Sequence, residues 1–600
     1  MEELEARSHR ESEDRADICI IGAGIIGLHN AIQYAKRGFS VVIIDELTTR
    51  SVSRYKVGES LFGATNSFFR TVSDLDEAIS GSFIKRGVWF AYGMEGKEQF
   101  GPDVAEWGFQ GALPQRWIDR ISDPGFARVM FEDAQIVRPE IEAVMRERLG
   151  KFENVTFNDR GLVRDVRFGP GEADHEVDWS SRDSGASGTV RARWVVDCSG
   201  RKRFLVNRLG HDVPLDDGFT TSAAWGQFES AFDPSDDRWD FVLGKDEVIR
   251  RDLDTVHLWG DGYWIWIIRL AGDRVSIGVS YDRSRPDHQG SAREVFWRII
   301  GRYPLLEFVK GATTLDFSAY KSVQYISDTY VSADRYAISG DAASIIDAYY
   351  SQGMSLSAVY SWHAANIVER HLRDGVMDRG YIDHINRAAK ADWLIMRGMV
   401  KYKYSPAIAD SRFFILDHVV DYLVFAAFLP ARFRTAQWLY QTGGYSSRET
   451  DPLKASRRKL ERRLSLSQSA PWGRLNPVTV AKIIDRRRAG LAKRAQWRLD
   501  NGVRLRAATG VMRPDAAVPA LWRLPYVNRM RNPNLSPKAF KEPAFLSPDL
   551  SGKLPPGLGI FGTILTPMVA AALAFDVGTT FLRRGTRAVT RPFRGRGSRA

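Results

Sequence analysis

The sequence predicts an α/β fold: a Rossmann-type domain interrupted by an antiparallel sheet and followed by a mainly helical, basic extension. Three observations predict it. The fingerprint Gly22-Ala-Gly24-Ile-Ile-Gly27 follows the apolar run Asp17-Ile-Cys-Ile-Ile-Gly and opens a helix-compatible segment ending at Gly38. Alternating apolar segments such as Tyr263-Trp-Ile-Trp-Ile-Ile and Val275-Ser-Ile-Gly-Val-Ser recur between residues 219 and 330. Residues 451–600 hold 30 Lys and Arg against 8 Asp and Glu; of the net charge of +12, that segment carries +22 and residues 1–450 carry −10.

The fingerprint is specific because its whole strand–loop–helix–strand setting is present. A second apolar run, Val41-Val-Ile-Ile, closes at Asp45, about 20 residues past the glycines, as the dinucleotide template requires. Gly22 permits the tight turn, Gly24 lets a pyrophosphate approach the backbone, and Gly27 lets the helix pack on the strand. The helix N-terminus then points its free N–H groups at phosphate, and Asp45 is assigned to the ribose hydroxyls. The chain is thus expected to bind a dinucleotide.

The remaining elements follow in order. Residues 1–16 are charged and apolar-poor and read as a disordered lead-in. The first part of the dinucleotide domain spans 17–218 and includes a strand turning into a helix at 135–150. A Gly- and Ser-rich hairpin or loop lies at 168–190, and a buried strand, Trp194-Val-Val-Asp197, ends in a glycine turn. The sheet of 219–330 would build a substrate pocket. Residues 331–400 return to the dinucleotide domain through Tyr336-Ala-Ile-Ser-Gly340-Asp341, and 401–600 form the helical, basic region. Cys19 and Cys198 both sit in strand-like apolar runs, which points to buried thiols in a reducing compartment and not to a disulfide. No metal-ligand spacing is present.

Three motifs together, GxGxxG, Val196-Asp197-Cys-Ser-Gly200 and Gly340-Asp341-Ala-Ala, resemble the FAD-dependent oxidoreductases of the aromatic-hydroxylase type. The resemblance implies FAD, with Asp341 on its ribityl and phosphate side and Arg138 opening a helix that contacts the flavin. The absence of a second GxGxxG implies that no separate NADPH domain is present.

A finer resemblance is to the flavin-dependent halogenases, and it covers roughly residues 17–400. Val57-Gly58-Glu59-Ser60-Leu61 is similar to their Gly-Glu-Ser/Ala loop near the flavin, and Lys85 before Gly87 is similar to their catalytic lysine. Trp264-Ile-Trp266 is similar to the WxWxIP signature, and Asp347-Ala-Tyr-Tyr350-Ser351-Gln352-Gly353 is similar to the turn credited with holding halide. Three positions depart from the pattern. Arg269 and Ala348 replace prolines, and Tyr350 stands where tryptophan halogenases carry glutamate.

The resemblance implies Lys85 and Glu59 as catalytic residues, Ser351, Gln352 and Gly353 at the halide, and Trp264, Trp266 and Tyr350 around the pocket. It implies reduced FAD from a separate reductase, O2, and hypohalous acid relayed to Lys85. The substrate would be a phenolic or pyrrolic ring, free or carrier-bound, consistent with secondary-metabolite biosynthesis. A monooxygenase or oxidoreductase without halide chemistry stays open, as does a membrane-associated flavin-binding protein without turnover. Residues 558–575 form an uncharged 18-residue run, followed by seven arginines between Arg583 and Arg599. The run fits a packed helix, an interfacial anchor meeting anionic lipid or, at minimal length, a span. Nucleic acid is not expected, because no binding motif accompanies the charge. The expected location is cytoplasmic, with the membrane face as the peripheral alternative.

Overall fold

The computed structural model describes residues 14–46, 55–111, 124–443, 454–468, 475–512 and 567–584, apart from a few short breaks within those ranges. Most of the lead-in and of the 558–575 run lies outside the described residues.

The chain begins with β1 (Asp14–Ile21), α1 (Ile25–Lys36) and β2 (Val41–Asp45). After α2 (Ala64–Thr71) come β3 (Gly87–Tyr92), β4 (Ala105–Gln110) and α3 (Arg138–Leu149). Next are β5 (Val155–Asp159), β6 (Gly161–Arg167), β7 (His175–Ser181) and β8 (Ser187–Asp197). The middle of the chain supplies β9 (Thr221–Glu229), β10 (Thr255–Gly260), β11 (Tyr263–Leu270), β12 (Arg274–Asp282) and β13 (Thr313–Tyr320). Short strands β14 (Val331–Ser332) and β15 (Tyr336–Ile338) precede α4 (Gln352–Asp374), α5 (Arg379–Lys401) and α6 (Ser411–Thr442). Then come α7 (Pro477–Asp500) and β16 (Thr509–Met512), and a last helix occupies 569–584.

The first sheet runs β14-β15-β8-β1-β2-β5, with β7 and β6 added as an antiparallel flap on β8. Its centre, from β15 to β5, is parallel. That is why Ile18–Ile21, Val41–Ile44 and Trp194–Val196 read as unbroken apolar runs: both faces of a central parallel strand are covered. The 168–190 segment is the β6–β7–β8 meander.

The second sheet runs β13-β9-β12-β11-β10-β3-β4-β16 and is mixed. It is wider than the 219–330 segment alone. β3 joins β10 in parallel and β16 joins β4 in parallel, so chain from before and after that segment completes the sheet. Alternation along β11 sends Trp264, Trp266 and Ile268 into the core shared with the first sheet. Tyr263, Ile265 and Ile267 go to a separate core on the far face. The space between the two sheets, closed by α3 and by the start of α4, is the candidate site.

Candidate functional site

A cleft between the sheets is lined by Gly24, Glu59, Arg138, Trp264, Trp266, Asp341, Ser351 and Gly353, among others. The three fingerprint glycines do separate jobs. A Cβ on Gly22, whose φ is +97°, would lie 2.5 Å from the carbonyl oxygen of Cys198, and one on Gly27 would lie 2.0 Å from that of Gly22. A Cβ on Gly24 would meet nothing within 4 Å. Two glycines are therefore required by the fold itself, whereas the space over the third is open for a ligand.

Asp45, at the end of β2, accepts from the Ala23 N–H at 2.9 Å and from Arg146 at 3.0 Å. In this structure it braces the glycine loop. Arg138, at the start of α3, donates to the Val57 carbonyl at 2.6 Å and to Glu142 at 2.7 Å. Gly58, with φ +96°, lets this loop lie on the guanidinium: a Cβ there would be 2.8 Å from Arg138 Nη1. Burial pushes the Asp341 carboxyl up, while the Arg138 and Arg201 charges oppose that shift.

The turn between β15 and α4 is closed from within. Gln352 accepts from the Tyr350 N–H at 2.6 Å and donates to the Asp347 carbonyl at 2.6 Å. Its side chain is thus committed to the turn, and Ser351 holds a left-handed φ of +53° at the N-cap. The first N–H groups of α4 begin at Gln352 and Gly353, beside the cleft, where an unsatisfied helix start favours an anion. Asp347 is 1% exposed and accepts from Trp264 Nε1 at 3.0 Å and from Ser280 at 2.7 Å. Trp264 and the turn are thereby locked together. Tyr350 does not line the cleft. Its hydroxyl donates to Asp421 and its ring packs on Phe90 and Phe425. Ala348 lies on the cleft wall. Arg269 pairs with Asp252 at 2.6 Å, fixing the segment that leads into β10.

Glu59 is 1% exposed; one oxygen accepts from Gln227 at 2.5 Å and the other has no protein partner. Desolvation pushes its carboxyl up to about 7. Lys85 is also 1% exposed and donates to Ser60 Oγ at 2.7 Å. Burial lowers its ammonium to about 8, against the pull of Asp133 and Asp254 and with the push of Arg432. Asp254, itself buried and held by Gln110, is raised to about 8.

Lys85 lies between two spaces. Ser60, its hydrogen-bond partner, lines the cleft. Phe62, whose ring centroid is 5.6 Å from Lys85 Nζ, lines a second cavity of about 100 Å³. That cavity is walled by Phe109, Met396, Tyr422, Phe425 and Phe428, with Arg432 at its edge. Sequence reading did not find Ser60, Thr255, Gln227, Asp254 or this aromatic chamber. Ser60 sits inside the Gly58-Glu59-Ser60 motif, but Gln227 comes from β9, Asp254 and Thr255 (3.1 Å from Ser60 Oγ) from the entry to β10, and the chamber from β4, α5 and α6, so no local signal joins them.

No protein-family model matches the chain. It is 26% identical over 365 residues to the flavin-dependent halogenase chlA of Dictyostelium discoideum, covering 57% of this chain and 58% of that one. It is 24% identical over 395 residues to the tetracycline 7-halogenase of Kitasatospora aureofaciens, covering 59% and 63%. The match thus spans about three fifths of these curated relatives. The fold is similar to that of halogenase PltM, with a TM-score of 0.63 at 17% identity over 81% of this chain and 92% of PltM. PltM has also been solved with phloroglucinol and FAD. The chain is thus similar in sequence to flavin-dependent halogenases and similar in fold to PltM.

Proposed function

We propose that the chain is an FAD-dependent oxidoreductase that halogenates an electron-rich aromatic ring, phenolic or pyrrolic, with reduced flavin delivered by a separate reductase. The observation that carries this reading is the position of Lys85, buried with its hydrogen-bond partner Ser60 on the wall of the cleft and the Phe62 ring beside it on the wall of the aromatic chamber.

The residues present fit the cofactor. The open space over Gly24 suits a pyrophosphate, Arg138 and the Gly58 loop form a rim for the ring system, and Glu59 lines the same cleft. When bound, reduced FAD with O2 supplies the oxidising equivalent that converts halide to hypohalous acid. The chain does the rest. The start of α4 at Ser351–Gly353 holds the halide, and Trp264 and Trp266 wall the cleft off from direct substrate contact. The neutral Lys85 amine takes the electrophilic halogen, with loss of water, or orients the acid by hydrogen bonding. The ring then gains halogen and releases one proton, so that aryl C–H and hypohalous acid become aryl halide and water. That proton ends on the leaving hydroxide or, in the haloamine route, on the Lys85 nitrogen; Asp133 and Asp254 are the carboxyls whose charges act on this lysine.

Purified chain supplied with FAD, a flavin reductase, NADH and bromide is expected to brominate members of a phenol and pyrrole panel. Lys85→Met is expected to lower that rate at least 1000-fold, as loss of a reacting group does. Turnover should rise with pH through about 8, as the Lys85 amine becomes neutral. Bromide-independent hydroxylation of the same panel would replace the reading with a monooxygenase. Gly24→Ala tests the cofactor separately. It is expected to weaken FAD binding at least tenfold by flavin fluorescence and to leave the melting temperature of the flavin-free protein unchanged, since its Cβ touches nothing.

A further inference from the structure

The helix at 569–584 buries polar groups beside a small apolar contact and is apolar on the outside. Its buried positions are Val569, Asp576 and Thr580, which fall on one stripe. Asp576, fully buried, takes Arg494 at 2.5 Å and Arg498 at 2.8 Å, both from α7, with Arg412 of α6 at 3.7 Å. Thr580 accepts from Arg498 at 2.9 Å and Thr579 from Arg412 at 2.7 Å. The opposite arc, which an amphipathic helix on a water-facing surface would fill with charge, is Ala570, Ala571, Ala574, Phe575, Val577, Gly578, Phe581 and Leu582. Phe575 is 64% exposed, Phe581 75%, Leu582 68% and Val577 49%. Every other large exposed apolar side chain among the described residues belongs to a different surface segment.

A helix attached by ion pairs and presenting its apolar face outward is a docking surface. Charge selects the occupant. Arg583 and Arg584, the second with its guanidinium over the Trp497 ring at 4.9 Å, continue the helix directly after Phe581 and Leu582, and the sequence from 585 to 600 adds five more arginines and no acid. An apolar strip with a cationic flank suits a surface that is itself apolar beneath an anionic rim. No helix among the described residues is long and apolar enough to cross a membrane, so the contact would lie in the interface plane. We infer that the outer face of this helix docks the protein on an anionic lipid bilayer. The inference is independent of the chemistry proposed above.

The test uses the full chain and vesicles. Wild-type protein is expected to sediment with phosphatidylglycerol–phosphatidylcholine vesicles and only weakly with pure phosphatidylcholine. The double variant Val577→Ser/Phe581→Ser should bind the anionic vesicles at least tenfold more weakly, with its melting temperature and flavin binding unchanged because both side chains are exposed. Raising salt should weaken wild-type binding as well. Equal sedimentation of wild type and variant, or none by either, would overturn the inference. So would a wild-type dimer that the variant converts to monomer, since the strip would then belong to a second copy.

Discussion

Two lysines lie at the bottom of this fold, and their surroundings are opposite. Lys403 is fully buried and paired with Asp417 and Asp421, which are in turn bridged by Arg488 from α7. Lys85 is equally buried, yet it donates to a neutral hydroxyl, Ser60, and its ammonium is lowered to about 8. Around Lys403 two cations meet two anions, so burial is compensated and the group is structural. Around Lys85 compensation is partial, and the ammonium gives up its proton more readily than an ordinary lysine does. On the function proposed above, burial with only partial pairing is what would make Lys85 reactive and leave Lys403 inert.

The comparison can be broken most sharply at Lys403. Lys403→Met leaves two buried carboxylates to one guanidinium, and it is expected to cost about 3–5 kcal/mol in denaturant unfolding. A loss below about 1 kcal/mol would mean that the cluster is not a compensated unit.

Lys85→Met should go the other way, adding roughly 2–3 kcal/mol at pH 7. Between the folded value near 8 and the ordinary value of 10.5, the unfolded chain holds a proton that the folded chain has released. Unfolding therefore takes up protons there, and wild-type stability should rise with pH across that window. The slope should be missing in Lys85→Met, which unfolding curves at pH 7.5 and 9.5 would show.

The smallest effect is expected at Ser60. Ser60→Ala removes one hydrogen bond from the ammonium, worth about 1 kcal/mol. It should shift the rising limb of the pH–rate profile downward, while a purely structural role would lower the rate without moving that limb.

The same pair shows why parts of the molecule were legible in the sequence and others were not. Gly22, Gly24 and Gly27 could be read because their roles depend on neighbours within one loop and helix. The alternation along β11 likewise announced which residues share a face. Lys85 could be singled out only through its likeness to a family motif, since Asp133, Asp254 and Arg432 come from distant parts of the chain. Tyr350 shows the limit. Its place in the halide-like turn suggested a pocket residue, but its hydroxyl is drawn to Asp421 on α6, 71 residues away. The width of the second sheet was hidden for the same reason, because β3 and β16 join it through pairings that no local pattern encodes.

Helix α6 has two sides with different clients. Tyr422, Phe425 and Phe428 face the aromatic chamber, whereas Val420 and Leu423 pack against Val569 of the last helix. One helix, about 10–12 Å across with its side chains, therefore stands between the chamber beside Lys85 and the helix whose outer strip is proposed to meet lipid. On that geometry the supply of a greasy substrate would be set by how much of it dissolves in the bilayer and not by how much dissolves in water. Turnover would then track vesicle area at fixed total substrate.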